Sequence, residues 1–119
     1  MKRFISAAVA AAVAICTFAG CASSSASVTV VSREDGSGTR GAFVELLGIE
    51  EKDADGNKVD RTVVSSEITN STAVMMSTIA GNKNAIGYIS LGSLNDTVKA
   101  LKIDGAEATA ENIKNGNYK

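Results

Sequence analysis

The chain contains no histidine, no tryptophan and no proline, and aromatic residues make up only 4% of it. Without histidine there is no Ser–His or Cys–His nucleophile pair and no His-based metal site. With so few aromatics, a core has to be assembled from Val, Ile, Leu, Ala and Met. A dominant charge is missing as well: the net charge is −1, which leaves no electrostatic footprint for a nucleic-acid partner. The 119 residues allow one small domain at most. Cysteine is scarce, and both copies, Cys16 and Cys21, fall near the N-terminus.

That N-terminus is unlike the rest. In "MKRFISAAVAAAVAICTFAGC", Lys2 and Arg3 precede an uncharged run from Phe4 to Ala19. The run is short for a membrane-spanning helix and has the shape of a signal peptide. It closes in "FAGC", with the small residues Ala19 and Gly20 just before Cys21. This resembles the lipobox of bacterial lipoproteins, with Phe18 where leucine is more usual. An ordinary secretory signal followed by a coincidental cysteine is the alternative. The reading adopted is a lipoprotein signal peptide at residues 1–20, with Cys21 acylated as the first mature residue. The protein is then expected on the extracytoplasmic face of a bacterial cell membrane, held by that lipid. Cys16 would leave with the leader, so the mature chain is expected to hold no disulfide although it faces an oxidising compartment. Residues 21–27 include "ASSSAS", which has no apolar side chain larger than alanine and reads as a flexible tether.

From Val28 onward the pattern is globular. Val28–Val31 is a β-branched run expected to form a buried strand. Thr39–Leu47 reads as a helix, with Phe43, Leu46 and Leu47 on one face and Gly48 as its stop. "EEKDADGNKVDR" is a charged surface segment turning at Asp55-Gly56. Its Asp53, Asp55 and Asn57 alternate like a calcium loop, but the glycine is misplaced and Val64 stands where a bidentate glutamate is due, so a solvated hairpin is the better reading. Asn70 or Ser71 caps a helix running to about Ala80, stopped by Gly81, with Val74, Met75 and Ile79 as its buried stripe. Ala85–Ser90 reads as a strand in which Gly87 marks a close backbone approach or a bulge. Val98–Ile103 alternates as a strand ending at an Asp104-Gly105 turn. Thr109 caps a short last helix stopped near Gly116. Strands alternate with helices, which makes the class α/β.

The chemistry concentrates in "SREDGSGT", residues 32–39, between the first strand and the first helix. The first turn of a helix carries unpaired N–H groups and a partial positive charge. Gly36 and Gly38 let that backbone approach an anion closely. Ser37 and Thr39 add hydroxyl donors, and Arg33 supplies a planar, permanently charged fork suited to phosphate-like oxygens. Asp35 is placed to hold that guanidinium. Arg40, one position into the helix, is expected to point along it. A glycine-rich turn that caps a helix and binds nothing is the alternative. The loop is not a Walker A motif, because GxxxxGK[ST] is absent.

"VTVVSREDGSGTRGAFVELLGI" resembles the second-lobe phosphate loop of the periplasmic-type phosphate-binding proteins of ABC transporters. "NSTAVMMSTIAGNKNAIGYISLGSL" and "VKALKIDGAEATAENIKNGNYK" resemble later parts of the same family, so the likeness runs from Val28 to Lys119. It implies that residues 28–119 form a partial lobe of a type II periplasmic-binding-protein-like fold, a mixed sheet flanked by helices. It implies phosphate contacts from Arg33, Ser37, Gly38 and Thr39, with Asp35 orienting Arg33 and Gly36 supporting the turn. Family members are longer and bilobed, and close phosphate between two lobes. The first lobe's Thr/Ser-rich loop and proton-accepting aspartate have no counterpart here, so only a half-site is expected, in a chain that reads as truncated or internally deleted. The expected function is a lipid-anchored, non-enzymatic solute-binding protein for inorganic phosphate, with ABC transporter permease subunits as partners and no cofactor or metal. The alternatives are a remnant that pairs with another lobe or has no transport role, and a phosphatase-like enzyme. The last is disfavoured because no base is paired with a nucleophile.

Overall fold

A computed structural model describes residues 27–119 of the chain. The leader, Cys21 and nearly all of the Ser-rich tether lie outside the described residues. In chain order the elements are β1 (Thr29–Arg33), α1 (Gly38–Leu46), β2 (Glu50–Lys52), β3 (Lys58–Asp60), β4 (Glu67–Thr69), α2 (Thr72–Gly81), β5 (Ala85–Ile86), a 3₁₀ turn at Leu91–Ser93 and α3 (Ala110–Lys114). Three strands form a sheet in the order β4-β1-β5. Val31 pairs with Glu67 and Arg33 with Thr69 on one side of β1, and Thr29 pairs with Ala85 on the other. Both pairings are parallel. Among the described residues, antiparallel pairing occurs in the separate β2–β3 hairpin and at the Ile103–Ala106 bridge, so the three-stranded sheet flanked by helices is parallel rather than mixed.

The helix limits follow the capping residues. Ser37, Ser71 and Thr109 stand in extended conformation at the three N-caps, and their hydroxyls accept from the amides of Arg40, Val74 and Asn112. Each such cap is worth about 1 kcal/mol. Helix α1 ends where Gly48 takes φ +65°, a conformation that costs glycine nothing. The expected hairpin is present. Asp53 donates its N–H to Asn57 and accepts the amides of Asp55 and Asn57 on its carboxylate. That carboxylate therefore serves the turn.

Two further sequence expectations change, and the strand expected over Ala85–Ser90 is confined to Ala85–Ile86. No strand forms over Val98–Ile103; among the described residues the segment makes only a single bridge, Ile103 to Ala106, around the positive-φ pair Asp104 and Gly105. No strand lies alongside to receive it, and the Leu101 carbonyl instead accepts from the Tyr118 hydroxyl at 3.2 Å. The apolar stripes are also narrower than the sequence suggests. Val44, not Leu46 or Leu47, is the buried residue of α1, and α2 buries Met75 while leaving Val74 exposed. A three-stranded sheet is too narrow to cover a full helix face, so the helix residues beyond its width stay in water.

The buried apolar core of the described residues is accordingly Val31, Val44 and Met75. Its tightest point is Gly87, just beyond β5. A Cβ there would stand 2.5 Å from the Met75 Sδ and 3.3 Å from the Val31 carbonyl oxygen. The expected close backbone approach is thus real, and it makes room for the Met75 and Ile79 side chains of α2 against the sheet. Gly87→Ala is expected to destabilise the fold by about 1–3 kcal/mol, the usual cost of overpacking, read as a lowered midpoint in chemical denaturation. An unchanged midpoint would show that Met75 moves aside freely.

Candidate functional site at the carboxyl end of the sheet

Strands β1 and β4 are parallel neighbours, and each feeds a helix: β1 runs into α1 and β4 into α2. Two helix N-termini are thereby set at the carboxyl ends of adjacent strands, the position at which open α/β sheets bind ligands. The β1–α1 loop turns at Asp35 and Gly36, and Gly36 holds φ +84°. A side chain would be strained there. The Ser37 amide donates to the Glu34 carbonyl at 3.2 Å, which closes the turn.

Ser37, Gly38 and Thr39 come together at the start of α1. The Ser37 Oγ accepts from the Arg40 amide at 3.3 Å, which leaves its own proton to donate. The amides of Gly38 and Thr39 have no acceptor among the described residues. The Thr39 hydroxyl lies 3.4 Å from that of Ser90, a residue that sequence reasoning left as the end of a strand. One helix end therefore presents two backbone donors and a group of hydroxyls in the partial positive field of α1.

Arg33 is placed differently. Its side chain is 12% exposed and its head group lies at the N-terminus of α2, donating from Nη1 to the Thr72 hydroxyl at 3.3 Å and from Nη2 to the Asn70 carbonyl at 3.5 Å. Its Nε and Nη2 also form a two-pronged fork on Glu34, at 3.0 and 3.2 Å. Of the five guanidinium N–H groups, one on Nη1 has no acceptor among the described residues. No described contact joins the Arg33 head group to Ser37, Gly38 or Thr39.

The partner expected for Arg33 was Asp35, and this is corrected. Asp35 sits at the tip of the turn with a fully exposed side chain, and its nearest cation is the Arg40 Nε at 3.6 Å. Glu34 is next to Arg33, and its longer side chain can lay both oxygens along the guanidinium edge. That fork holds the Glu34 carboxyl below the usual carboxylate range.

Arg40 is the residue that sequence reasoning misplaced. It does not run along the helix but turns back beneath the loop, 14% exposed. Its Nη1 donates to the Arg33 carbonyl and to the Ser32 Oγ, each at 2.8 Å, and its Nη2 donates to the Asp60 carboxylate at 2.6 Å. Burial pushes the Arg40 pKa down, but the Asp60 hydrogen bond and the charges of Asp60 and Asp35 more than offset this and leave it raised. Asp60 is held below its ordinary value, first by hydrogen bonds from Thr62 and then by Arg40. Tyr88, also unmarked in the sequence, stacks on Phe43 with ring centroids 3.9 Å apart. Two surface hollows, of about 230 and 470 Å³, are lined by Ala100–Lys102 with Glu107–Thr109 and by α2 residues with Asn95 and Thr97. Neither touches the loop.

The chain is similar to phosphate-binding proteins, among them solved phosphate-binding proteins of ABC transporters. Phosphate-binding protein PstS 2 of Streptococcus agalactiae is 56% identical over 106 residues, which take in 85% of this chain and 36% of that protein. A phosphate-binding protein of a phosphate ABC transporter from Streptococcus pneumoniae, solved by crystallography, superposes with a TM-score of 0.72 at 54% identity, covering 76% of this chain and 35% of that one. A substrate-binding protein of the same kind from Clostridium perfringens, solved with bound phosphate, gives 0.66 at 47% identity, covering 77% and 35%. The chain thus spans about a third of the length of the proteins it matches. No protein-family model matches it.

The Asp60 shift fixes a pH dependence. A carboxyl whose folded pKa is depressed contributes stability that is fully present above its unfolded value, 3.8, and is lost as pH falls through the folded one. Acid unfolding followed by circular dichroism is expected to show a shallower loss of stability below this pH in Asp60→Asn than in wild type. Parallel acid transitions would mean that Asp60 carries no linked proton.

Proposed function

We propose that the chain is a non-enzymatic, extracytoplasmic binding component for inorganic phosphate, working with the permease subunits of an ABC import system and held at the membrane by lipid on Cys21. The observation that carries the proposal is the helix start itself. The free amides of Gly38 and Thr39, with the hydroxyls of Ser37 and Thr39, form a compact set of donors for one tetrahedral oxyanion. The remaining Nη1 hydrogen of Arg33 adds a charged donor from the neighbouring helix end. The Clostridium perfringens likeness, a protein solved with phosphate bound, supports phosphate as the oxyanion.

All of these groups donate, and all belong to one end of one sheet. The anion is held from one side, so affinity is expected to be weak, with a dissociation constant of about 0.1–1 mM. Sulfate accepts the same bonds as phosphate and is expected to compete. Arg33→Ala removes the charged donor and is expected to weaken binding at least tenfold, since a hydrogen bond to a charged group contributes about 1.5–3 kcal/mol. In a titration followed by NMR, the amides of residues 36–40 should move with phosphate in wild type and hardly move in Arg33→Ala. Equal movement in both would leave Arg33 without a role, and none in wild type would reduce the loop to a helix cap.

A second reading, a lobe that associates with another lobe, is favoured by the exposed apolar residues Val64, Ile68, Val74 and Ile86. It predicts self-association or capture of a partner with no response to phosphate. The anchor has its own test. Cys21→Ser is expected to move the protein from membrane to soluble fractions or to block its processing. Wild type and variant that are equally soluble would remove the lipid from the account.

A further inference from the structure

We propose that Arg40 and Tyr88 are positioning residues that clamp the backbone of Arg33 and thereby fix the anion-binding loop. The role rests on the phosphate reading above. Along β1 the backbone groups of successive residues face opposite neighbours: the Thr29 amide donates toward β5, at the Asn84 carbonyl, and the Glu34 amide donates toward β4, at the Thr69 carbonyl. Arg33, two pairs of residues on from Thr29, faces the β5 side. There β5 has ended at Ile86, so no strand is present to take the Arg33 N–H and C=O.

Two side chains take the place of that strand. The Arg33 amide donates to the Tyr88 hydroxyl oxygen at 3.0 Å, and the Arg33 carbonyl accepts from Arg40 Nη1 at 2.8 Å. The clamp is closed by Ser32, which is 1% exposed. Its Oγ is hydrogen-bonded to the Tyr88 hydroxyl at 2.9 Å and accepts from the same Arg40 Nη1 at 2.8 Å. Each arm is itself fixed, Arg40 by its ion pair with Asp60 and Tyr88 by its stack on Phe43. Unpaired backbone groups in a part-buried strand end would otherwise seek partners by bending the chain. The bend would fall on the residue whose side chain carries the charged donor and on the turn that leads to Ser37.

The test uses the whole chain with inorganic phosphate as probe. Arg40→Lys keeps the positive charge but cannot reach the Arg33 carbonyl, Ser32 and Asp60 together. Tyr88→Phe keeps the ring stack and loses only the hydroxyl, so it should fold even if Arg40→Lys does not. Phosphate titration of amides 36–40 is paired with hydrogen exchange of the Arg33 amide. Both variants are expected to bind phosphate roughly tenfold more weakly, the equivalent of one well-made hydrogen bond, and Tyr88→Phe should exchange the Arg33 amide faster. Variants that lose thermal stability but keep the wild-type dissociation constant would overturn the positioning role and leave phosphate binding intact. A wild type that does not respond to phosphate would overturn both.

Discussion

The structure depends on how one strand end is finished. β1 is the central strand, with β5 beside its first residues, Thr29 and Val30, and β4 beside Val31–Arg33, so at Arg33 only the β4 side has a strand beside it. The unmatched N–H and C=O of Arg33 are satisfied by Tyr88 and Arg40. This ties together parts of the chain that a sheet ladder would not: α1 through Arg40, the β2–β3 hairpin through Asp60, and the segment after β5 through Tyr88. The same early ending of β5 opens the carboxyl edge of the sheet, where the loop and both helix starts meet solvent.

Charge at this edge is arranged in pairs. Arg33 is neutralised by Glu34, and Arg40 by Asp60. Among the described residues, the donors left without an acceptor at this edge are the two amides at the α1 N-terminus and one guanidinium hydrogen of Arg33, with the hydroxyls of Ser37 and Thr39 beside them. On the proposed reading, such a set of donors would suit a small oxyanion, which needs several convergent donors rather than a large positive potential.

Much of this was readable from residues. Gly36, Ser37, Gly38 and Thr39 announce a strand–turn–helix with an exposed helix start, since glycine at positive φ and serine at an N-cap are local requirements. Gly87 was readable as a close approach for the same reason. The partners of Arg33 and Arg40 were not. Both Glu34 and Asp35 lie within reach in sequence, and only the direction in which the turn points its tip decides between them. Arg40 was misread because its environment is made by residues 20 positions away, in a hairpin that sequence alone shows as a solvated surface segment. The Val98–Ile103 alternation failed because a strand needs a neighbour, and among the described residues the segment has only the Ile103–Ala106 bridge.

The central claim is that one oxyanion rests against the α1 N-terminus within reach of Arg33. A crystal structure of the chain grown with phosphate tests it most directly. The account predicts phosphate oxygens within hydrogen-bond distance of the Gly38 and Thr39 amides, the Ser37 and Thr39 hydroxyls and Arg33 Nη1, with Tyr88 and Arg40 still closed on the Arg33 backbone. Phosphate bound elsewhere, or a loop left empty at concentrations well above 1 mM, would contradict it.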